Sequence, residues 1–246
     1  MLQKSFSGFL TGEFKDLLSQ IDGAAFQQGI HLRPSPETVF LRFQKHTKEA
    51  QLRILGSLLN YYEIFAQALK DKAQLRDGKT MLWYALKRFG LRPTSEVFDV
   101  ISDEDIVEIY NADGIQIYRN LNFYEISSYS LGELVAFEWS ELYQREDQVS
   151  VEIMKLAGDI LKGKYSKTFQ SPIPRHKLIE KFSEECHVLD MIQRHYSPLY
   201  PLEGGSQVVG VIATSQVHVL EKTNSKRSTF SSRVEVNPEA SQNSLS

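Results

Sequence analysis

Six histidines occur in the chain. Four of them, His176, His187, His195 and His218, fall within one strand-rich stretch, which raises the question of a metal site, since imidazole is the commonest protein ligand for such ions. None shows the i, i+4 helical pairing or the cysteine company of a zinc site. On a strand His187 and His195 share a face but stand far apart. These histidines read as surface or hydrogen-bonded core residues, and no metal is expected. Cys186 is the one cysteine, which excludes an internal disulfide and any multi-cysteine metal site. It lies near a predicted strand turn with nothing to activate its thiol, so it is expected to be inert. Acid–base catalysis would need paired carboxylates. Glu184-Glu185 and Glu133, Glu138 and Glu141 are the candidates, and all read as solvated loop and helix faces. No Gly-x-Ser-x-Gly, phosphate loop or dinucleotide fingerprint is present, and Gly204-Gly205 reads as a hairpin turn. The chain is not expected to be an enzyme.

Nucleic-acid chemistry has one candidate. Lys87, Arg88 and Arg92 cluster near the end of a predicted helix in residues 79–93. Met81, Leu82, Trp83, Leu86 and Phe89 occupy most of that surface, and cations near a helix C-terminus also suit the macrodipole. With a formal charge of −3, the chain has no electrostatic footprint for nucleic acid or an anionic membrane. No apolar run approaches the roughly 20 residues that span a bilayer. The first residues lack an apolar core and cleavage site for export, so a cytoplasmic location is expected.

The elements behind these residues follow from spacing. In residues 1–33, Phe14, Leu17, Leu18 and Ile21 have helical spacing. Ser35 is a natural cap, with Pro36 in the first helical position and Glu37 in the first turn. Residues 36–71 then predict one long, interruptible helix with Val39, Phe40, Phe43, Leu52, Leu55, Leu58, Leu59, Tyr62, Phe65 and Leu69 on its apolar stripe. That stripe is too rich to stand in water. Thr80 caps a second predicted helix, ended by Gly90, and residues 91–94 read as a linker. Beyond it the pattern changes. Residues 105–110 and 115–118 read as two strands, because Ala112-Asp113-Gly114 between them is hairpin chemistry. Asn120 is placed to cap a short helix from Leu121. Asp147 can cap a helix over residues 148–162. Residues 176–182 and 187–196 read as strands joined around 183–185, residues 203–205 as a turn, and residues 207–216 as a final strand.

That order resembles the first and second halves of a PAS domain, the small sensor and interaction fold. The residues carrying the resemblance are Asp113-Gly114, Asn120, Tyr129-Ser130-x-x-Glu133-Leu134 and Trp139-x-x-Leu142 with Asp147 behind. The similarity covers roughly residues 95–222. Ser128 departs from the family's usual glycine before Tyr-Ser. Val217-His218-Val219 stands where many members carry an Asp-Ile-Thr-like triplet that couples them to an output domain.

The resemblance implies an α+β chain: a helical N-terminal region over 1–94, a PAS-like five-stranded antiparallel sheet with short flanking helices over 95–222, and a disordered polar tail over 223–246. It also implies a pocket, with Ile109, Ile117, Phe123, Ile126, Leu134, Trp139 and Leu142 as its lining. Such a space holds a small ligand or is filled by side chains, and close packing favours filling. A haem-binding member would need a histidine in 148–162, and a flavin-adduct member a cysteine in 121–134. Neither is present, so haem and a flavin adduct are not expected, and any ligand would be held noncovalently. The function implied is a free-standing signalling or regulatory module that senses a small ligand or docks a protein partner. Its N-terminal helices would serve dimerisation, with a homodimer or signalling protein as partner. The alternative is a transcriptional regulator using those helices on DNA or on a partner.

Overall fold

The computed structural model describes residues 2–182 and 185–224. The expected turn at 183–184 and the tail from 225 onward lie outside the described residues.

Four helices come first: α1 Leu2–Phe26, α2 Glu37–Lys45, α3 Lys48–Lys70 and α4 Gly78–Phe89. The stretch expected as one helix over 36–71 breaks at His46 and Thr47, both extended (ψ 155° and 158°), and Thr47 Oγ1 accepts from Ala50 N to cap α3. A side-chain cap at that point offers the backbone an alternative to continuing the helix. The cap of α4 likewise sits three residues before the expected one, because Asp77 Oδ1 accepts from both Lys79 N and Thr80 N. Gly90 ends it with φ 62°, a left-handed conformation that suits glycine. Phe14 of α1 stacks on Phe43 of α2, rings 4.3 Å apart.

The remainder is sheet and short helices: β1 Leu91–Pro93, α5 Val97–Val100, β2 Ile106–Asn111, β3 Gln116–Arg119, α6 Asn122–Ile126, α7 Leu131–Ala136, α8 Trp139–Leu142, β4 Tyr143–Gln144, α9 Asp147–Leu161, β5 Phe169–Gln170, β6 His176–Glu180, β7 Glu185–Pro201 and β8 Gly210–Asn224. One antiparallel sheet runs in the order β3-β2-β8-β7-β6-β4, with β1 and β5 also paired to β7. The sheet has eight strands rather than five. The additions, β1, β4 and β5, are short; β4 extends the sheet beyond β6, and the other two share one cause. Along β7, one edge pairs with β8, while the other is met in turn by β6, β5 and β1. Buried backbone groups need partners, and passing segments supply them. The expected linker 91–94 is therefore partly strand, and β8 reaches into the expected tail, to Asn224.

At the β2–β3 hairpin, Asn111 Oδ1 accepts from Asp113 N and Ile115 N, and Gly114 takes φ 75°. Asn120 does not cap a helix. Its side chain accepts from Val107 N and donates to Asp105 O, tying the end of β3 back to the start of β2.

The sheet is a middle layer. Val107, Ile109, Tyr118, Leu199 and Ile212 share one core with α1, α3 and α4. On the other face Ile106, Leu178, Leu189, Met191 and Val217 pack with Phe123, Tyr129, Leu142 and Tyr143. Val211, Ala213 and Tyr196 pack beneath Val149, Leu156 and Ile160 of α9. The helical N-terminal region and the sheet thus share a continuous core.

Candidate functional site

On the sheet face away from α1–α4 lies a buried charged cluster. Glu108 of β2 and Arg119 of β3 stand directly across from each other. Their side chains, 7% and 2% exposed, form an ion pair, and Arg119 Nε donates to Glu108 Oε1 at 2.7 Å. Gln116 Nε2 donates to Glu108 Oε1 (2.7 Å) and Tyr110 OH to Oε2 (3.1 Å), so both carboxylate oxygens are occupied. Burial is the strongest single influence on Arg119 and opposes its charge, but the Glu108 carboxylate and the nearby hydroxyls of Tyr110, Tyr143 and Tyr124 together outweigh it and hold the guanidinium above its ordinary range. The guanidinium lies 3.8 Å from the Phe123 ring centroid and 5.2 Å from that of Trp139. Arg145 also lies near the Trp139 ring, at 5.8 Å, and the ring stacks on Tyr143 at 4.2 Å.

The same residue connects this face to the helical layer. Tyr61 of α3 accepts from Arg119 N (2.5 Å) and donates to Arg119 O (3.1 Å). Tyr124 OH donates to Tyr61 OH at 3.3 Å. The side chain of Arg119 is thus held in one layer and its backbone by another.

The expected lining residues divide between the two faces. A register jump between Ile109 and Tyr110 leaves Ile117 as the extra residue between the Ile109–Tyr118 and Tyr110–Gln116 pairs. In consequence Ile109 and Ile117 pack toward the helices. Phe123 and Leu142 lie on the opposite face with Ile126 beside them, and Leu134 touches both cores. Trp139 lies within 6 Å of both guanidinium groups and is 37% exposed. Ile126 also edges an open cleft of about 910 Å³, lined by Arg76, Asp77, Lys79, Asp103, Glu104 and His218 among others, which is of mixed charge and crossed by the Arg76–Glu125 pair (2.8 Å).

The other candidates have structural partners. Glu133 forms a capping box with Ser130, and Glu141 accepts from Glu138 N and pairs with Arg42. Arg88 pairs with Glu63 and donates to Asn60 Oδ1, Lys87 lies over Trp83, and Arg92 lies over Tyr200. No group of three or more His, Cys, Asp or Glu among the described residues could hold a metal ion, and no helix among them is long and apolar enough to cross a membrane. Cys186 is buried.

Sequence reasoning missed Glu108 and Arg119. A signal was present: opposite charges equally spaced about Asp113-Gly114, one on each arm of the hairpin, must meet across it. Comparison of the chain with protein-family models, with curated proteins and with solved structures returned no match.

Proposed function

We propose that the chain is a PAS-type signalling or regulatory module, with the Arg119 face as its sensing or docking side and α1–α4 as its output. The observation that carries this reading is the placement of the β2–β3 hairpin and the β7–β8 ribbon side by side in one antiparallel sheet, with α6 and α8 packed on it. The relay is Arg119 and Tyr61. A ligand or partner that prefers one arrangement of the Arg119 side chain biases the strand end held by α3, by its differential affinity for the two arrangements. A second copy of the chain is the proposed partner of the helical layer, where Leu52 and Leu59, one face apart by two turns of α3, are 48% and 42% exposed.

Hydrogen exchange tests the relay. Glu108→Gln perturbs only the sensing face by contact, yet protection of the α3 amides around Tyr61 is expected to fall. Loss of protection confined to β2 and β3 would sink it. Light scattering on the full chain tests the partner: a dimer mass, reduced to monomer by Leu52→Asp with Leu59→Asp, is expected. Point variants are needed because removing residues 1–93 would strip the core from Val107, Ile109 and Ile212.

A further inference from the structure

Hydrogen-bonding groups on the sensing face exceed their partners. Arg145 carries five N–H donors, but its Nη2 reaches only Met191 Sδ, at 3.7 Å, and its Nε is buried with no partner among the described residues. Gln193 Nε2 points to the same sulfur, at 3.5 Å. A thioether is a weak acceptor. His176, 5% exposed, stands directly across from Met191, and its Nε2 has no partner. Ser215, directly across from Gln193, has an unpartnered Oγ. These groups come from β6, β7, β8 and the turn after β4, side by side on one face.

Charge is unbalanced too. Arg119 and Arg145 share this region with the carboxylate of Glu108, whose oxygens are taken; the Glu180 carboxylate on the same face is held by Ser127 Oγ, Ser128 N and His187 N, and Asp190 is paired with Arg175. Burial pushes the Arg145 guanidinium below its ordinary range, and Arg119 adds to the effect. His176 supplies the opposite polarity. Its Nδ1 lies 2.9 Å from Pro174 O, a carbonyl that can only accept, so Nδ1 donates. Burial, with Arg145 adding to it, lowers the proton affinity of the ring, so the ring is neutral and Nε2 presents a lone pair.

We infer that this face binds a small oxyanion that also carries an O–H group, a hydrogen phosphate or a hydroxycarboxylate. Its oxygens accept from Arg145 and Gln193, and its hydroxyl donates to His176 Nε2. Trp139, 37% exposed, has its ring 5.8 Å from the Arg145 guanidinium and is placed to report on it. The inference rests on the proposed sensing role of this face and supplies its ligand chemistry.

The test reads Trp139 fluorescence in a Trp83→Phe background, which leaves one tryptophan of the two. The probes are inorganic phosphate and glycolate against sulfate and acetate, which match their charge and shape but lack the hydroxyl. At about 20 mM a site of millimolar affinity is nearly saturated. Saturable responses are expected for phosphate and glycolate, each roughly tenfold tighter than its hydroxyl-free counterpart, the value of one hydrogen bond. Arg145→Leu should weaken binding at least about tenfold. His176→Leu should erase the preference for phosphate over sulfate while sulfate binding persists. If Arg145→Leu does not fold, Arg145→Lys, which keeps the charge and loses the fork, should weaken binding as well. No saturable response to any probe, or sulfate binding as tightly as phosphate, overturns the site. Saturable binding that leaves α3 exchange unchanged keeps the site and overturns the relay instead.

Discussion

The Glu108–Arg119 pair is the sharpest point at which the structure can be tested. Arg119→Met keeps a long unbranched chain over Phe123 but removes the guanidinium. Glu108 then retains its bonds from Gln116 and Tyr110 and loses its counter-charge in a site only 7% exposed. Breaking a buried pair from one side costs about 3–5 kcal/mol, because the remaining charge is uncompensated. For a chain of this size each kcal/mol lowers the melting temperature by roughly 2–4 °C, so a fall of about 6–20 °C is expected. Glu108→Gln should cost less, about 2–3 kcal/mol, because Phe123 and Trp139 still face the guanidinium and the new amide oxygen still accepts. The double variant should fall well short of the sum, with a coupling of at least about 2 kcal/mol. Urea unfolding followed by circular dichroism measures all three, read as midpoint shifts at constant slope. Single variants that each cost under about 1 kcal/mol, with an additive double, would refute a buried, mutually dependent pair.

Three further outcomes follow from the packing of the same layers. Tyr61→Phe keeps the ring stacked against Tyr118 but leaves the Arg119 N–H and C=O without the Tyr61 hydroxyl. It should cost about 2–4 kcal/mol by urea unfolding, with Tyr124→Phe costing under half as much. His176 and His195 both have proton affinities lowered by burial, so the unfolded chain binds more protons than the folded one below about pH 6.5. Stability should therefore be level above that pH and decline as the pH falls toward 5, and His176→Leu should flatten the decline; an unchanged slope contradicts the assignment. Gly210→Ala would set a Cβ 2.6 Å from Tyr110 O, forcing β8 away from β2 at a cost of roughly 1–3 kcal/mol, whereas Gly163→Asn, on a turn with open space at φ 76°, should cost far less.

Much of the architecture was local and so was legible. The Asp113-Gly114 turn and the α4 stop at Gly90 are set by residues within a few positions of one another, and each lies in the structure as its spacing indicated; the Ser130–Glu133 capping box is equally local but was read as a solvated face. Where two local signals competed, the boundary moved: Thr47 broke a helix whose apolar stripe ran through it, and Asp77 took the cap from Thr80.

The site was a different matter. Alternation alone puts Ile109 and Ile117 on a pocket wall, but which face of a strand looks at which layer depends on register and on what covers the sheet. Here a single bulge turned Ile117 toward the helices. Asn120 bonds to Val107 of the opposite strand and to Asp105 just before it, and Tyr61 reaches Arg119 across 58 positions of sequence; such contacts follow from how the chain is folded back, which periodicity does not report. Sequence therefore determined the segments and their order, because turns, caps and periodicity are short-range. Only the tertiary structure decided that Arg119, Arg145, Glu108 and a histidine with one ring nitrogen unbonded share a face of the sheet, because charge balance and hydrogen-bond satisfaction belong to the packed layers and not to any one segment.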